Sequence, residues 1–229
     1  MTTVHTSREF EGDLRDLRER ALAMGALCET VTDAAFQAYL QGRPELAASV
    51  PAIEAQLDRD EVELEARALR IIALRQPVAV DLRFLAATLR LVTDLERIGD
   101  EAVNITECIV GEPDTAKLLA RGALCAMDRD AQGMVRRALR AFVDEDPTAA
   151  RQVIASDDDV DRGCAEVIAK MTAYLASCPH DAAAALRVIW VAKYLERVAD
   201  HATNVAEEVI FMVRGEDVRH VVPPPAAMT

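Results

Sequence analysis

Eight carboxylates in this sequence fall into four pairs, and the two members of each pair are four residues apart. The pairs are Glu54 with Asp58, Glu96 with Asp100, Asp157 with Asp161, and Glu196 with Asp200. On an α-helix this spacing puts both side chains on one face. Carboxylate oxygens gathered at one level of a helical bundle favour hard or borderline cations such as Mg, Mn, Ca or Fe. The pairs therefore predict metal binding.

The positions of the pairs along the chain agree with two helical hairpins. In an antiparallel hairpin, residues at equal distances from the turn lie level with each other. Along the sequence, the midpoint between the first two pairs is Pro77, and the midpoint between the last two pairs falls between Cys178 and Pro179. Proline marks a turn in both places. We therefore expect two clusters of four carboxylates, each formed across one hairpin.

The carboxylates of the second pair continue an apolar stripe. At 100° per residue, the apolar residues within about 40° of Glu96 are Leu82, Leu85, Leu89, Val92 and Val103. An unpaired carboxylate on such a face is costly or has a raised pKa, so a positive charge must compensate it. Arg83, Arg90 and Arg97 repeat every seven residues and flank this stripe.

The chain contains an internal repeat, which determines the predicted architecture. Residues 95–107, LERIGDEAVNITE, recur as residues 195–207, LERVADHATNVAE, at an offset of 100 without a gap. A weaker match relates residues 54–58 to residues 157–161. Self-similarity over such a distance indicates that one structural unit occurs twice.

Glycine and proline interrupt the chain at only a few places and leave six long segments with helical patterns. The predicted helices span residues 7–40, 44–74, 78–110, 115–143, 146–178 and 179–214. Long helices with short connections form antiparallel bundles. We therefore predict an all-α fold of six helices, made of two tandem repeats of an antiparallel three-helix bundle. The predicted domains are residues 7–111 and 114–214, followed by a flexible tail at 215–229.

Composition excludes several classes of protein. The 229 residues carry 26 Lys and Arg against 39 Asp and Glu, and the net charge of −13 argues against nucleic-acid binding. Residues 1–10 contain no apolar signal segment, and no uncharged run reaches the roughly 18 residues of a membrane span. The five cysteines form no Cys-x-x-Cys pair, so a structural zinc site and a disulfide framework are not expected. We expect a cytoplasmic protein.

Two other functions stay open at this point. The first is a structural helical interaction module without functional metal, whose carboxylates pair only with arginines such as Arg97 and Arg197. The second is a metal-dependent hydrolase, although nothing beyond the carboxylates supplies a nucleophile or a general base. Neither a phosphate-binding loop nor a catalytic triad pattern is present. His201 lies about 140° from Glu196 on the helical wheel and is not expected to be a ligand.

Three stretches of the chain together resemble the PhoU family. They are the duplicated LERIGD and LERVAD segments at residues 95–100 and 195–200, the segment ALRQPVAVDLR at 73–83, and the ending VRGEDVRH at 213–220. The acidic residues between positions 54 and 65 also fit the acidic pattern of that family. The resemblance extends over nearly the whole chain, from about residue 8 to residue 220.

The resemblance implies a cytoplasmic regulator of phosphate uptake rather than an enzyme. It implies a homodimer that links the ATPase subunit of the phosphate ABC transporter to a sensor histidine kinase and represses uptake when phosphate is abundant. It also implies multinuclear Fe, Mn, Mg or Zn centres. Carried over to this chain, the metal ligands are Glu54, Asp58, Glu96, Asp100, Asn104, Asp157, Asp161, Glu196, Asp200 and Asn204. Glu54 replaces the usual Asp, and Pro51 just before it is expected to distort the helix there.

Overall fold

The computed structural model describes residues 8–110 and 115–219, which are almost entirely helical. Seven α-helices lie in these two stretches: α1 (Arg8–Gln41), α2 (Val50–Arg75), α3 (Ala79–Glu107), α4 (Thr115–Asp144), α5 (Pro147–Ile154), α6 (Asp157–Ser177) and α7 (Ala182–Arg214). Short 3-10 turns at Pro44–Ala47 and Pro179–Asp181 precede α2 and α7. The described residues contain no β-strand. The predicted all-α class with six long helices is confirmed.

The fifth predicted helix, residues 146–178, consists of two helices. The Asp146 side chain caps α5, because its Oδ1 accepts hydrogen bonds from the backbone N–H groups of Thr148 at 2.8 Å and Ala149 at 3.1 Å. This short helix ends at Ile154, and α6 then begins with three successive aspartates. Negative charge in a first turn is favoured by the helix dipole, so the acidic run promotes a new start.

The second predicted helix also begins later than expected, because residues 44–47 form a 3-10 turn and α2 begins only at Val50. Pro51 lies in the first turn of α2, where a missing N–H costs no helical hydrogen bond. The helix continues unbroken from there to Arg75. The expectation that Pro51 distorts the helix near Glu54 is therefore wrong.

The long helices pack as two groups of three that share a central contact. Helices α1, α2 and α3 pack on one another, as do α4, α6 and α7, and α3 packs along α7. The approach of α3 to α2 is close at Gly99, where an added Cβ would lie 2.6 Å from Leu57 Cδ1. This close contact positions the acidic residues of α2 beside those of α3.

The core contains most of the apolar residues of the predicted stripe. Leu85 and Val92 are fully buried, and so are Leu91 and Ile105 on the other side of α3. Leu82 is an exception, because it is 42% exposed near the start of the helix. The prediction that Leu82 faces the core is therefore wrong. The helical wheel places residues on a face but does not show where the neighbouring helix ends.

The predicted linker at residues 111–114 lies wholly outside the described residues. The predicted tail lies partly outside them, because residues 220–229 are not described. Residues 215–219 are described, and Gly215 ends α7 in a left-handed conformation with a φ of 72°. The predicted domain limits at 7–111 and 114–214 stay predictions. Within the described ranges, no helix combines the length and the apolar character that crossing a membrane requires.

Candidate metal centres

The first acidic cluster is formed by Glu54 and Asp58 of α2 with Glu96 and Asp100 of α3. Burial raises the pKa of Glu54, and repulsion by Asp58 and Asp100 raises it further. The pKa of Glu96 is also raised by burial and by the charge of Asp100, while Arg97 opposes this rise. The four carboxylates predicted from the hairpin register therefore act on one another in the folded chain.

Glu61 of α2 is a fifth member of this cluster, because its charge contributes to the raised pKa of Glu96. The sequence prediction did not include Glu61 among the ligands, although it lies within the acidic segment of the second helix. The missed signal is its spacing of seven residues from Glu54, which returns to the same helical face after two turns.

Glu96 has a carboxylate oxygen that is buried without a hydrogen bond in the first cluster. Its side chain is only 16% exposed, and its Oε2 is buried without a hydrogen-bond partner. The Nε of Arg97 lies 3.4 Å from this oxygen, and Nη1 of Arg97 lies 3.1 Å from Asp100 Oδ2. A buried carboxylate oxygen without a hydrogen bond is unfavourable unless a cation compensates it.

The second acidic cluster is formed by Asp157 and Asp161 of α6 with Glu196 and Asp200 of α7. Burial, together with repulsion by Asp161 and Asp200, raises the pKa of Asp157 to about 6. Burial and the charge of Glu196 raise the pKa values of both Asp161 and Asp200. Oδ1 of Asp157 is buried without a hydrogen-bond partner. Each cluster thus contains one such oxygen.

The two clusters have different cations beside them. Arg97 contacts the first cluster, but its counterpart in the repeat, Arg197, contacts Glu101 of α3 instead, with Nη1 3.4 Å from Oε1. In the second cluster Lys193 forms an ion pair with Glu196. The ion pairs expected from the arginine pattern therefore exist in part, and a lysine that the pattern did not include adds to them.

The two asparagines predicted as ligands make hydrogen bonds elsewhere. Asn104 Nδ2 donates to Glu101 Oε2 at 3.1 Å, and Asn204 Nδ2 donates to Asp94 Oδ1 of α3 at 3.0 Å. Asn104 and Asn204 thus have other hydrogen-bond partners in this structure, and their role as metal ligands stays a prediction. Since Asn204 bonds across α3 and α7, its role is to join the two repeats.

The donor set fits a metal ion in its chemistry. Both clusters offer carboxylate oxygens, which suit hard cations, and both contain a buried oxygen without a partner, on Glu96 and on Asp157. Across residues 8–110 and 115–219, however, no three His, Cys, Asp or Glu side chains are arranged to hold one ion. Ligation would therefore require the carboxylates to move towards one another, and metal binding stays a prediction.

The fold and the site together define a class of protein. This class has two three-helix groups related by an internal repeat, with one acidic cluster between two helices of each group. A family model described as "PhoU domain" matches the chain twice, at residues 21–109 and 124–209. The chain therefore belongs to the PhoU family.

Individual relatives agree with this assignment. A protein of Pseudomonas aeruginosa named "Phosphate-specific transport system accessory protein PhoU homolog" is 37% identical, over 96% of this chain and 91% of its own length. A Caulobacter vibrioides protein of the same name is 35% identical over 94% of both chains. The crystal structure of PhoU from Pseudomonas aeruginosa is similar with a TM-score of 0.84 and 35% identity, covering 90% of this chain and 100% of that one.

A more distant structure supports the fold alone. The phosphate transport system regulatory protein PhoU from Streptococcus pneumoniae has a TM-score of 0.84 at 23% identity, covering 91% of this chain and 99% of that one. Because the fold is kept at this low identity, the helical architecture tolerates extensive sequence change.

Proposed function

We propose that this chain is a regulatory accessory protein of phosphate-specific transport. The proposal rests on the name of the relatives. Two proteins share this name, and they are 37% and 35% identical to this chain over nearly its whole length. The proposed role is to restrain phosphate uptake and phosphate signalling when phosphate is abundant. It acts in the cytoplasm as a homodimer, as the family resemblance implies.

The proposed partners are the ATPase subunit of a phosphate ABC transporter and a sensor histidine kinase. Exposed apolar side chains support a docking role, because burying such residues is a common source of binding energy. Leu186 and Trp190 are exposed one turn apart on α7. Leu74 and Val78 are exposed beside the turn between α2 and α3.

A regulatory role fits the side chains near the clusters better than a catalytic one. A reactive cysteine needs a lowered pKa. Burial instead raises the pKa of Cys164, beside the second cluster, to about 11, and it raises the pKa of Cys108 to about 11 as well. These thiols remain protonated at neutral pH and pack as small apolar residues.

The proposed metal role is to neutralise the two acidic clusters with Mg, Mn, Fe or Zn. When bound, such an ion supplies concentrated positive charge to carboxylates that repel one another. Glu54, Asp58, Glu96 and Asp100 would hold it in the first repeat. In the second repeat the holders would be Asp157, Asp161, Glu196 and Asp200.

Co-purification with the transporter ATPase subunit, from cells grown at high and at low phosphate, tests the proposed function. We expect this chain to be recovered with the ATPase, and in larger amount at high phosphate. The Glu96→Ala/Asp100→Ala variant should be recovered less. Asp144→Ala serves as control, because Asp144 is exposed on α4 and pairs with Arg140 outside both clusters. Failure to recover the wild-type chain at either phosphate level would overturn the proposal.

A structural interaction module without functional metal is the second candidate. It is favoured by the existing ion pairs of Arg97 with Glu96 and Asp100, and of Lys193 with Glu196. It predicts that the melting temperature of the protein stays the same when Mg²⁺, Mn²⁺, Zn²⁺ or a chelator is added. A rise with one metal, reversed by chelator, would exclude it.

A further inference from the structure

We infer that Lys193 acts as a tethered cation in the second acidic cluster, so that this cluster binds a divalent metal ion more weakly than the first cluster does. This inference rests on the proposed metal role. It assigns the two centres of one chain different affinities and an order of filling, with the first cluster occupied first.

The internal repeat reveals the difference between the clusters. At the offset of 100 that relates α3 to α7, the counterpart of Lys193 is Thr93. At the offset of 103 that relates residues 54–58 to 157–161, the counterpart of Glu61 is Cys164. The second cluster therefore gains an ammonium group and has a thiol in place of the Glu61 carboxylate, while Asp158, whose counterpart is Ala55, adds a carboxylate that acts on Asp157 and Asp161.

Lys193 lies among the carboxylates of the second cluster. It forms an ion pair with Glu196, and its charge opposes the raised pKa values of Asp161 and Asp200. The hydrogen bond with Glu196 is the largest cause of the raised pKa of Lys193 itself. The ammonium thus compensates three of the four carboxylates that a metal ion would need.

The cation of the first cluster is placed differently. Arg97 contacts Glu96 and Asp100 at the side of the cluster that α3 provides, and its side chain is 57% exposed. Among the described residues, no ion pair joins a cation to Glu54, Asp58 or Glu61 on the α2 side, and of the four carboxylates of the second cluster only Glu196 has one. The clusters therefore differ in where the cation lies: Arg97 lies at the exposed edge of the first, whereas the charge of Lys193 acts on three carboxylates of the second.

The consequence for metal binding follows from the charges. A divalent ion that enters the second cluster must displace the ammonium from Glu196 or remain close to a like charge. Repulsion between charges about 4 Å apart is substantial even at the effective dielectric constant near a protein surface. We expect the second cluster to bind Mn²⁺ roughly tenfold more weakly than it would without Lys193.

A Mn²⁺ titration of the full-length chain, with free Mn²⁺ measured by electron paramagnetic resonance, tests this inference. In the Glu96→Ala/Asp100→Ala background only the second cluster is intact. There we expect Lys193→Thr, which copies the residue of the first repeat, to lower the Kd for Mn²⁺ roughly tenfold. Lys170→Thr is the matched control and should leave the Kd unchanged. Lys170 and Lys193 side chains are both 45% exposed, but Lys170 pairs with Glu166.

The reverse exchange provides a second measurement. In the Glu196→Ala/Asp200→Ala background only the first cluster is intact, and Thr93→Lys should raise its Kd roughly tenfold. With both clusters intact, the chain should bind Mn²⁺ in two phases, and Lys193→Thr should bring the two Kd values closer together. This comparison requires no alanine substitutions in either cluster. Circular dichroism checks that each variant is helical.

The outcomes separate the inference from the proposed function. If Lys193→Thr leaves the Kd of the second cluster unchanged, or if that cluster binds no Mn²⁺ with or without the exchange, the inference is overturned. If the first cluster still binds Mn²⁺ in that case, the proposed metal role survives. If neither cluster of the wild-type chain binds Mn²⁺, Mg²⁺, Zn²⁺ or Fe²⁺, both the inference and the metal role fail.

Discussion

The imidazole Nδ1 of His201 on α7 lies 2.9 Å from Oδ1 of Asp94 on α3. The same oxygen accepts a hydrogen bond from Asn204, so one carboxylate of the first repeat holds two side chains of the second. Glu101, the counterpart of His201, also faces α7, but its partner is Arg197 and not Tyr194, the counterpart of Asp94. Each repeat therefore contributes a carboxylate to the α3–α7 contact or a partner for one, through different pairs of positions.

Replacing Asp94 with alanine should weaken the contact between the repeats. The Asp94 and His201 side chains are 14% and 21% exposed, so both partners would lose a largely buried hydrogen bond. We expect the free energy of unfolding, measured by urea denaturation, to fall by about 1–2 kcal/mol. Asp130→Ala, which removes only an exposed pair with Arg129, should change it by less than about 0.5 kcal/mol. Equal effects of the two variants would contradict the proposed contact.

The buried carboxylate of Asp128 on α4 should make the protein less stable as the pH rises. Burial raises the pKa of Asp128 to about 6, from an ordinary value of 3.8. Between these two values the folded state holds a proton that the unfolded state has released, so stability falls as the pH rises through this window and stays lower above it.

Asp128→Asn should therefore stabilise the protein at pH 7.5 by about 2 kcal/mol and have little effect at pH 4. The amide oxygen can still accept the 2.8 Å hydrogen bond from Gln132 Nε2. Chemical denaturation of both proteins across this pH range measures the difference. A constant difference between the two curves would contradict the titration of Asp128.

Replacing Glu96 with glutamine should stabilise the metal-free protein and reduce the stabilisation that added metal provides. The pKa of Glu96 is raised chiefly by burial, so its charge destabilises the metal-free protein above the ordinary glutamate pKa. In the presence of a chelator we expect a gain of about 1 kcal/mol, after allowance for solvent screening. The rise in melting temperature on adding Mn²⁺ should become smaller. Glu166→Gln, at an exposed pair with Lys170, should change neither quantity.

The close contact of α2 with α3 should tolerate a methyl group at position 99 but not a larger side chain. Gly99→Ala introduces a Cβ near the terminal methyl group of Leu57, which a small side-chain shift can relieve, and the second repeat has alanine at the matching position 199. Gly99→Val should destabilise the fold by about 1–3 kcal/mol through overpacking. Thermal denaturation distinguishes the two variants. Equal stability of both would mean that the helices can separate freely at this point.

The sequence was informative where a pattern repeats. The hairpin centre at Pro77 placed Glu54 and Asp58 level with Glu96 and Asp100, and in the structure the charges of Asp58 and Asp100 contribute to the raised pKa values of Glu54 and Glu96. The same argument brought the acids of α6 and α7 together. Register depends only on distances along the chain from a turn, so it can be calculated without knowing the side-chain packing.

Features that depend on neighbouring helices could not be predicted in this way. The family resemblance assigned Asn104 and Asn204 to the ligand set, but in the structure Asn104 donates to Glu101 of its own helix and Asn204 donates to Asp94 of the neighbouring helix α3. The counterpart of Lys193 in the first repeat is Thr93, so a comparison that looks for similarity between the repeats does not detect this lysine. The break between α5 and α6 depends on a cap at Asp146, which a periodicity argument does not detect.

The residues that join the two repeats are chain neighbours of the cluster carboxylates. Glu101 follows Asp100, Arg197 follows Glu196, and His201 follows Asp200. A rotation of α3 or α7 that gathers the carboxylates around an ion must also shift these joining side chains. Under the proposed metal role, binding at one cluster would then be thermodynamically linked to binding at the other, and linkage requires each to change the affinity of the other by the same factor. The contact between α3 and α7 would then be a route for cooperativity within a single chain.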